Sequence, residues 1–561
     1  MKKALRSFLL LYILCFSASI SFSQLFPGKN YPQGYFRWPV GAAIGIAANF
    51  GELRPNHYHM GLDARTDRKQ NVPVYASAGG YIAKVKIEPS GFGRCIYINH
   101  PNGLTTLYAH LNDFNPALEK YVTAQQYKLQ QWNVFIDIPS DLFPVNKGDL
   151  IAYSGNTGGS QGPHTHFEIR DTKTDKVLNP LLFGLPIIDH TPPDIIRLAV
   201  YNRCISTYEQ SPKLFTLRKV NGVYQLPGGM ITVNTDRISF AITAYDRYMG
   251  STNQNGIYKA VVFDNNVAVS GFEMDSISYD ETRYLNAHID YKVRSHGGPY
   301  LQHLTNLPGY INGIYKSTGD NGVVTLEDEP HAIKIVVSDA AGNSSTIAFT
   351  IRAEGKFQET PVQSGAQMFH PGFINVFENE NVRFYLPEKS LYDSFYFHYN
   401  EIQAATGGTI FQLQDASVPV HNYFPISIRG NFPAADTARV VMKRSYGSKE
   451  DYVKADHNNG WYTARFREFG NFQLLVDDTP PVISAVSMTR ARIAFSIVDN
   501  TEELKNFKAT LDGNWLRFSN DKGRTFIYVF DEHCPPGPHE LRISVEDQVG
   551  NKSEKVFNFS R

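Results

Sequence analysis

Between residues 36 and 190 the chain is cut by glycine, proline and asparagine into short apolar or alternating runs, at 80–87, 95–99, 104–108, 150–154 and 165–170. Runs this short do not complete a packed helix, but they suit strands whose side chains alternate between core and solvent. The stretch therefore has to bury its apolar residues as an antiparallel β domain. One segment breaks the rhythm. Residues 116–131 read PALEKYVTAQQYKLQQ, with Leu118, Tyr121, Val122, Gln125 and Leu129 near a three-to-four residue period, which predicts a helical insertion on the rim of the β core.

A chain of 561 residues exceeds what one core supports, so several domains are expected. Past Thr191 a repeat emerges. Thr191-Pro192-Pro193 and Thr479-Pro480-Pro481 each open a segment that later reads Pro-His followed by an alternating run, at Pro330-His331 and Pro538-His539. Each segment closes on Asp-x-x-Gly-Asn, at Asp339–Asn343 and Asp547–Asn551. Alternating strands ended by such a turn resemble immunoglobulin-like β-sandwich modules, and the paired prolines make stiff joints. The expected layout is an export signal at 1–23, a β domain at 36–190 with an insertion at about 115–146, sandwiches at 191–355 and 478–561, and a β-rich aromatic domain of unassigned type at 356–477. The fold class is mainly β.

Lys2, Lys3 and Arg6, then a mostly apolar stretch and the small residues Ser21 and Ser23, form the pattern of a cleaved export signal. No later stretch reads as a transmembrane helix. Lys plus Arg and Asp plus Glu both number 54, so nothing in the charge favours a nucleic-acid partner. With the signal removed, Cys95, Cys204 and Cys534 remain, too few and too scattered for a disulfide framework or a cysteine metal site.

Three segments carry the chemistry: His57-Tyr58-His59-Met60-Gly61-Leu62-Asp63, then Leu107-Tyr108-Ala109-His110-Leu111, then Ser154 to Glu168 with its glycine-rich run and Pro163-His164-Thr165-His166-Phe167-Glu168. His164 and His166, two apart on a strand, leave the same face, while Thr165 and Phe167 point into the core. Two imidazoles on one face suit a metal that takes neutral nitrogens. His59 and Asp63 with one of these histidines supply two nitrogens and one oxygen. That set leaves a fourth tetrahedral position for water, the arrangement of a catalytic rather than a structural zinc site. Gly158-Gly159-Ser160-Gln161-Gly162 matches the serine-hydrolase elbow in letters only, because a strand rather than a helix follows.

In their order and wording these three blocks strongly resemble the lysostaphin-type (LytM-like) zinc metallopeptidases, over about a quarter of the chain. The resemblance implies that His59, Asp63 and His166 bind zinc and that His110 and His164 are the catalytic histidines, with the choice of general base left open. Glu168 is a candidate partner behind His166 or a member of a surface salt bridge. His57, Arg54, Asn56 and Ser160 are candidates for substrate contact. The expected function is an exported endopeptidase using zinc-activated water on the peptide stems or cross-links of peptidoglycan, in the periplasm, cell envelope or outside the cell. An envelope protein is a candidate partner through the C-terminal β modules. Two other readings share features with it: a non-catalytic envelope-binding relative, and an exported protease of Gly-rich proteins.

Overall fold

The alternating runs of the first third pair into one antiparallel sheet. A computed structural model describes residues 25–248, 251–355, 367–405, 407–523 and 525–561; the export signal expected at 1–23 lies outside them. The N-terminal unit is built from β1 (Ile46–Ala48), β2 (Leu62–Arg65), β3 (Pro73–Tyr75), β4 (Gly80–Ile87), β5 (Arg94–Asn99), β6 (Leu104–Ala109), β7 (Leu111–Phe114), β8 (Val134–Asp137), β9 (Leu150–Ser154) and β10 (His164–Asp171). The main sheet runs β1-β2-β10-β6-β5-β4-β8, and β3, β9 and β7 form a smaller sheet. Side chains of one face of the main sheet, among them Ile82, Val85, Ile96, Ile98, Tyr108 and Phe167, fill a common core. Each such burial contributes about 1.5–3 kcal/mol.

The insertion forms α1 (Pro116–Leu129), capped by Asn115, whose side chain accepts from Leu118 N, with Pro116 in the first turn. Its buried residues are Leu118, Val122 and Gln126. Leu129, expected to face the core, is 51% exposed, while Gln126 is fully covered. Gln126 Oε1 accepts from Arg517 of the last module at 3.0 Å, and its amide nitrogen donates to Trp132 O. After the helix, β8 pairs with β4 and extends the sheet edge.

The remaining described chain is β throughout its long elements. Residues 194–353 form two sheets around a core that also takes in Phe50, Tyr58, Met60 and Val177 of the N-terminal unit. The strand Ser276–Ile277 even pairs with Val177–Leu178, adding itself to the N-terminal sheet. Residues 367–476 form two five-stranded sheets and a two-stranded pairing of 367–369 with 395–397 over an aromatic core, and residues 482–560 form two four-stranded sheets. The last module folds back onto the first unit, where Tyr127 stacks on His533 at 3.7 Å. Cys95 and Cys534 are buried, Cys204 is exposed, and all three are free thiols. No helix among the described residues is long and apolar enough to cross a membrane.

Candidate metal centre

The site is assembled by strand register. β10 lies between β2 and β6, and His166 stands directly opposite Asp63 on one side and Ala109 on the other. Two-residue periodicity brings His164 out on the face of His166, while Thr165 and Phe167 are fully buried. His110 follows Ala109 with φ 59°, a left-handed conformation uncommon for residues other than glycine, which turns its ring away from the line of β6. Gly61 is required by the close approach of β2 to β10. A Cβ there would lie 2.6 Å from Phe167 O and 2.7 Å from His166 Nε2.

Three side chains converge. His59 Nε2 is 3.0 Å from both Asp63 Oδ1 and His166 Nδ1, and His166 Nδ1 is 2.9 Å from Asp63 Oδ1. Their hydrogen-bond partners set the tautomers. His59 Nδ1 meets Asn49 O at 2.7 Å and His166 Nε2 meets Glu168 Oε1 at 2.9 Å, so each ring donates outward and turns a lone pair inward. Two lone pairs and a carboxylate oxygen face one point, an arrangement only a cation or a proton makes stable. Ligands of a tetrahedral zinc with bonds of about 2.0–2.2 Å lie roughly 3.3 Å apart, and the three atoms stand within a few tenths of that. The donor set fits Zn2+. Burial opposes the charge of Asp63, but neighbouring His59 and the bonds to His164, His166 and His59 hold its carboxyl well below the usual range.

Two more imidazoles border this cluster. His110 Nδ1 donates to Thr157 O and His164 Nδ1 to Gly162 O, both at 2.8 Å, which leaves each Nε2 turned elsewhere. The rings of His110 and His164 lie 4.8 Å apart, and His164 Nε2 is 3.4 Å from Asp63 Oδ1. Burial, then the neighbouring His164 and His166, push His110 down to about 3, so it stays neutral.

Glu168 is no surface residue. It is fully buried, held down at about 2 against the cost of burial by Arg170 first and then by His166 and Tyr279. Arg170 Nε donates to its Oε2 at 2.7 Å, and the Tyr279 hydroxyl donates to its Oε1. Tyr279 belongs to the second module and reaches the site just after the Ser276–Ile277 strand; no sequence signal pointed to it. Tyr279→Phe should keep the ring against Phe92 but lose the bond to Glu168. Because such outer partners typically change metal affinity by 10–100-fold, zinc should bind about tenfold more weakly in a chelator competition.

The four candidates for substrate contact divide. Arg54 faces the centre, its Nη2 lying 2.9 Å from Glu52 Oε1 and 3.9 Å from Asp63 Oδ2. His57 points to solvent with Nδ1 on Pro55 O at 2.8 Å, and Asn56 Oδ1 accepts from Asn286 at 3.1 Å, which turns it toward the second module. Ser160 is buried, donates to Gly162 O at 2.6 Å and lies 3.3 Å from His164 Nδ1. Its hydroxyl also accepts from Gly162 N at 3.3 Å, which ties it to the loop beneath His164. The glycine-rich loop is also gripped from outside. Gly158 N donates to Asp521 at 2.7 Å, and Lys522 Nζ donates to Gly158 O at 3.2 Å and to Ser160 O, so the last module holds one shoulder of the site.

Residues 57–127 match the model of Peptidase family M23, and residues 366–477 match that of a Zu5-like domain. The chain is 30% identical over 168 residues to a protein of Haemophilus influenzae described as an uncharacterized metalloprotease, covering 28% of this chain and 29% of that one. It is 35% identical over 136 residues to the DD-carboxypeptidase/endopeptidase Mpg of Neisseria meningitidis serogroup B, covering 24% and 25%. A third relative, the peptidoglycan DD-endopeptidase ShyA of Vibrio cholerae, is 25% identical over 169 residues, covering 29% and 33%. Among solved structures, a zinc-containing peptidase from Vibrio cholerae matches with 24% identity over 26% of this chain and 39% of that one, at a TM-score of 0.20. The chain thus spans about a quarter to a third of the length of these curated relatives. Residues 57–127, which carry the first two motif blocks, match that model and the third block joins them around one point, so the N-terminal β unit carries a peptidase family M23 domain, of the lysostaphin-type metallopeptidases.

Proposed function

We propose that this chain is an exported zinc endopeptidase that hydrolyses peptide stems or cross-links of bacterial peptidoglycan. The observation that carries the reading is the convergence of His59 Nε2, Asp63 Oδ1 and His166 Nδ1 beside two further imidazoles whose outer nitrogens are already engaged. Zinc held by His59, Asp63 and His166 supplies a Lewis acid that polarises the scissile carbonyl and acidifies water. His110, kept neutral by burial, accepts a proton at Nε2. His164, whose Nδ1 donates to Gly162 O, presents its own Nε2 lone pair to the same space and orients the water, and the proton taken up at His110 is passed on to the leaving amine. Arg54 beside the centre offers a counter-charge for a substrate carboxylate.

The catalytic unit spans 36–190, braced by the modules at 191–355 and 478–561, while the module at 356–477 bonds to the second through Asp393 and Val420. Peptide bonds flanked by D-residues are the preferred substrate over glycine bridges, a choice supported by the names of Mpg and ShyA. The place of action is the periplasm or the outer envelope.

The test is a chromatographic profile of muropeptides after purified sacculi are incubated with the zinc-loaded chain, with casein and elastin as parallel substrates. Loss of cross-linked species and gain of monomers, dependent on zinc, is expected. Bound zinc with an unchanged muropeptide profile would leave the non-catalytic envelope-binding reading, and cleavage of elastin alone would leave the exported protease.

A further inference from the structure

We propose that the joint between the N-terminal unit and the second module is a calcium site, formed by side-chain oxygens of Asp189, Asp246, Asp339 and Asn255. Asp189, Asp246 and Asp339 bring carboxylate oxygens within 4.8 Å of one another. They are 7%, 1% and 2% exposed. Burying three carboxylates together is costly unless opposite charge accompanies them. The compensation supplied by the protein is slight. Asp189 Oδ1 accepts from Thr191 N at 2.9 Å, and Asp339 accepts from the backbone and side chain of Asn343 at 2.9 and 2.8 Å. Among the described residues Asp189 Oδ2 and Asp246 Oδ1 are buried without a hydrogen-bond partner.

A fourth group outside the acidic trio points the same way. Asn255 is fully buried, and its Oδ1 also has no partner among the described residues. Asn255 and Asp246 form a bridge, exchanging backbone hydrogen bonds of 2.9 and 3.0 Å, so their side chains leave the same face. The Asn255 amide nitrogen is committed to Asn253 O at 3.3 Å, leaving the oxygen as the group without a partner. Three carboxylates and an amide oxygen, with no nitrogen or sulfur donor, are the ligands of a hard cation with a flexible shell, which is Ca2+. Bidentate carboxylates and water complete its coordination. Without an ion, burial and then the charges of Asp189 and Asp339 push the Asp246 carboxyl up to about 8, so the trio must take up either a proton or a cation.

The internal repeat supplies a comparison within the chain. Asp477, Asp499 and Asp547 occupy the matching places in the last module, and Asn551 ties Asp547 to Asp477 O as Asn343 ties Asp339 to Asp189 O. There protein donors intervene: Asn500 donates to Asp477 Oδ1 at 2.9 Å, and Thr501 gives both its amide and its hydroxyl to Asp499 Oδ2. Asp477 Oδ2 and Asp499 Oδ1 are without a partner there too, but among the described residues only the first copy gathers its three carboxylates within reach of one ion. Its position matters for the zinc centre as well. Gly256 N, next to Asn255, donates to Asn49 Oδ1 at 2.9 Å, and Asn49 O orients His59.

The test uses the zinc-loaded chain lacking residues 1–23, exchanged into calcium-free buffer. Calorimetric titration with Ca2+ should give one site, and saturating Ca2+, at about 100 times Kd, should raise the melting temperature by about 5 °C. Asp246→Asn keeps the shape and removes one charge. It should lose the calcium-dependent rise while melting no lower than the calcium-free parent, because like-charge repulsion is relieved. Asp63→Ala, which alters the zinc centre, should keep the rise. A parent protein whose melting is indifferent to Ca2+, or a rise that survives in Asp246→Asn, overturns the proposal.

Discussion

His166→Ala should release zinc and abolish hydrolysis, whereas His164→Ala should abolish hydrolysis and retain zinc. The two residues sit on one face of one strand, so sequence position does not distinguish them. Their surroundings do. His166 Nδ1 lies 2.9 Å from Asp63 Oδ1 and 3.0 Å from His59 Nε2, with Glu168 fixing the ring from behind. Its loss removes one of three ligands and leaves the buried Glu168 carboxylate facing a void. His164 is anchored to Gly162 O instead, and its Nε2 approaches the cluster only to 3.4 Å from Asp63. Truncating it removes a proton-handling group, worth roughly 10²–10⁴-fold in rate, without touching the three converging atoms. Metal content after dialysis, measured beside the rate of muropeptide release, separates the two roles. Equal zinc loss in both variants would show that the assignment of ligand and catalytic histidine is mistaken.

Glu168→Ala should be the most destabilising single change in the centre. Arg170 is 3% exposed, and its remaining acidic partner, Asp175, is an exposed side chain at 2.9 Å. Stripping a buried charge of its inner partner costs about 3–5 kcal/mol, equivalent to a drop of roughly 10 °C in the melting temperature of a domain this size. Zinc affinity should fall with it, because His166 loses the acceptor that sets its tautomer. Glu168→Gln separates the two effects. Arg170 demands an oxygen acceptor, so the new amide turns its NH2 toward His166 Nε2. The imidazole must then carry its proton on Nδ1, where the metal lone pair is needed. That variant should melt close to the parent yet bind zinc far more weakly. A glutamine variant with unaltered zinc affinity would show that the tautomer is set elsewhere.

Much of the site was readable along the chain because its logic is local. Strand alternation placed His164 and His166 on one face, and the block around His59 and Asp63 kept its spacing through Gly61, where any larger residue would strike Phe167 O. The helix at 116–129 was equally legible, since capping by Asn115 and Pro116 acts within one turn. Its burial pattern was not. Gln126 is covered, accepting from an arginine nearly four hundred residues away, while Leu129 is exposed.

The same division holds for the whole protein. Residue type and short-range periodicity, which act over a few bonds, determined the β character, the order of the three chemical blocks and the recurrence of the Asp-x-x-Gly-Asn turn. Only the tertiary structure decided that Ser160 turns inward, that Tyr279 braces Glu168, that Asp521 and Lys522 grip the glycine-rich loop, and that Asp189 and Asp246 join Asp339 in one buried trio. Those contacts depend on how separately folded sheets share a core and dock, and that information is spread over hundreds of residues rather than written in any one motif.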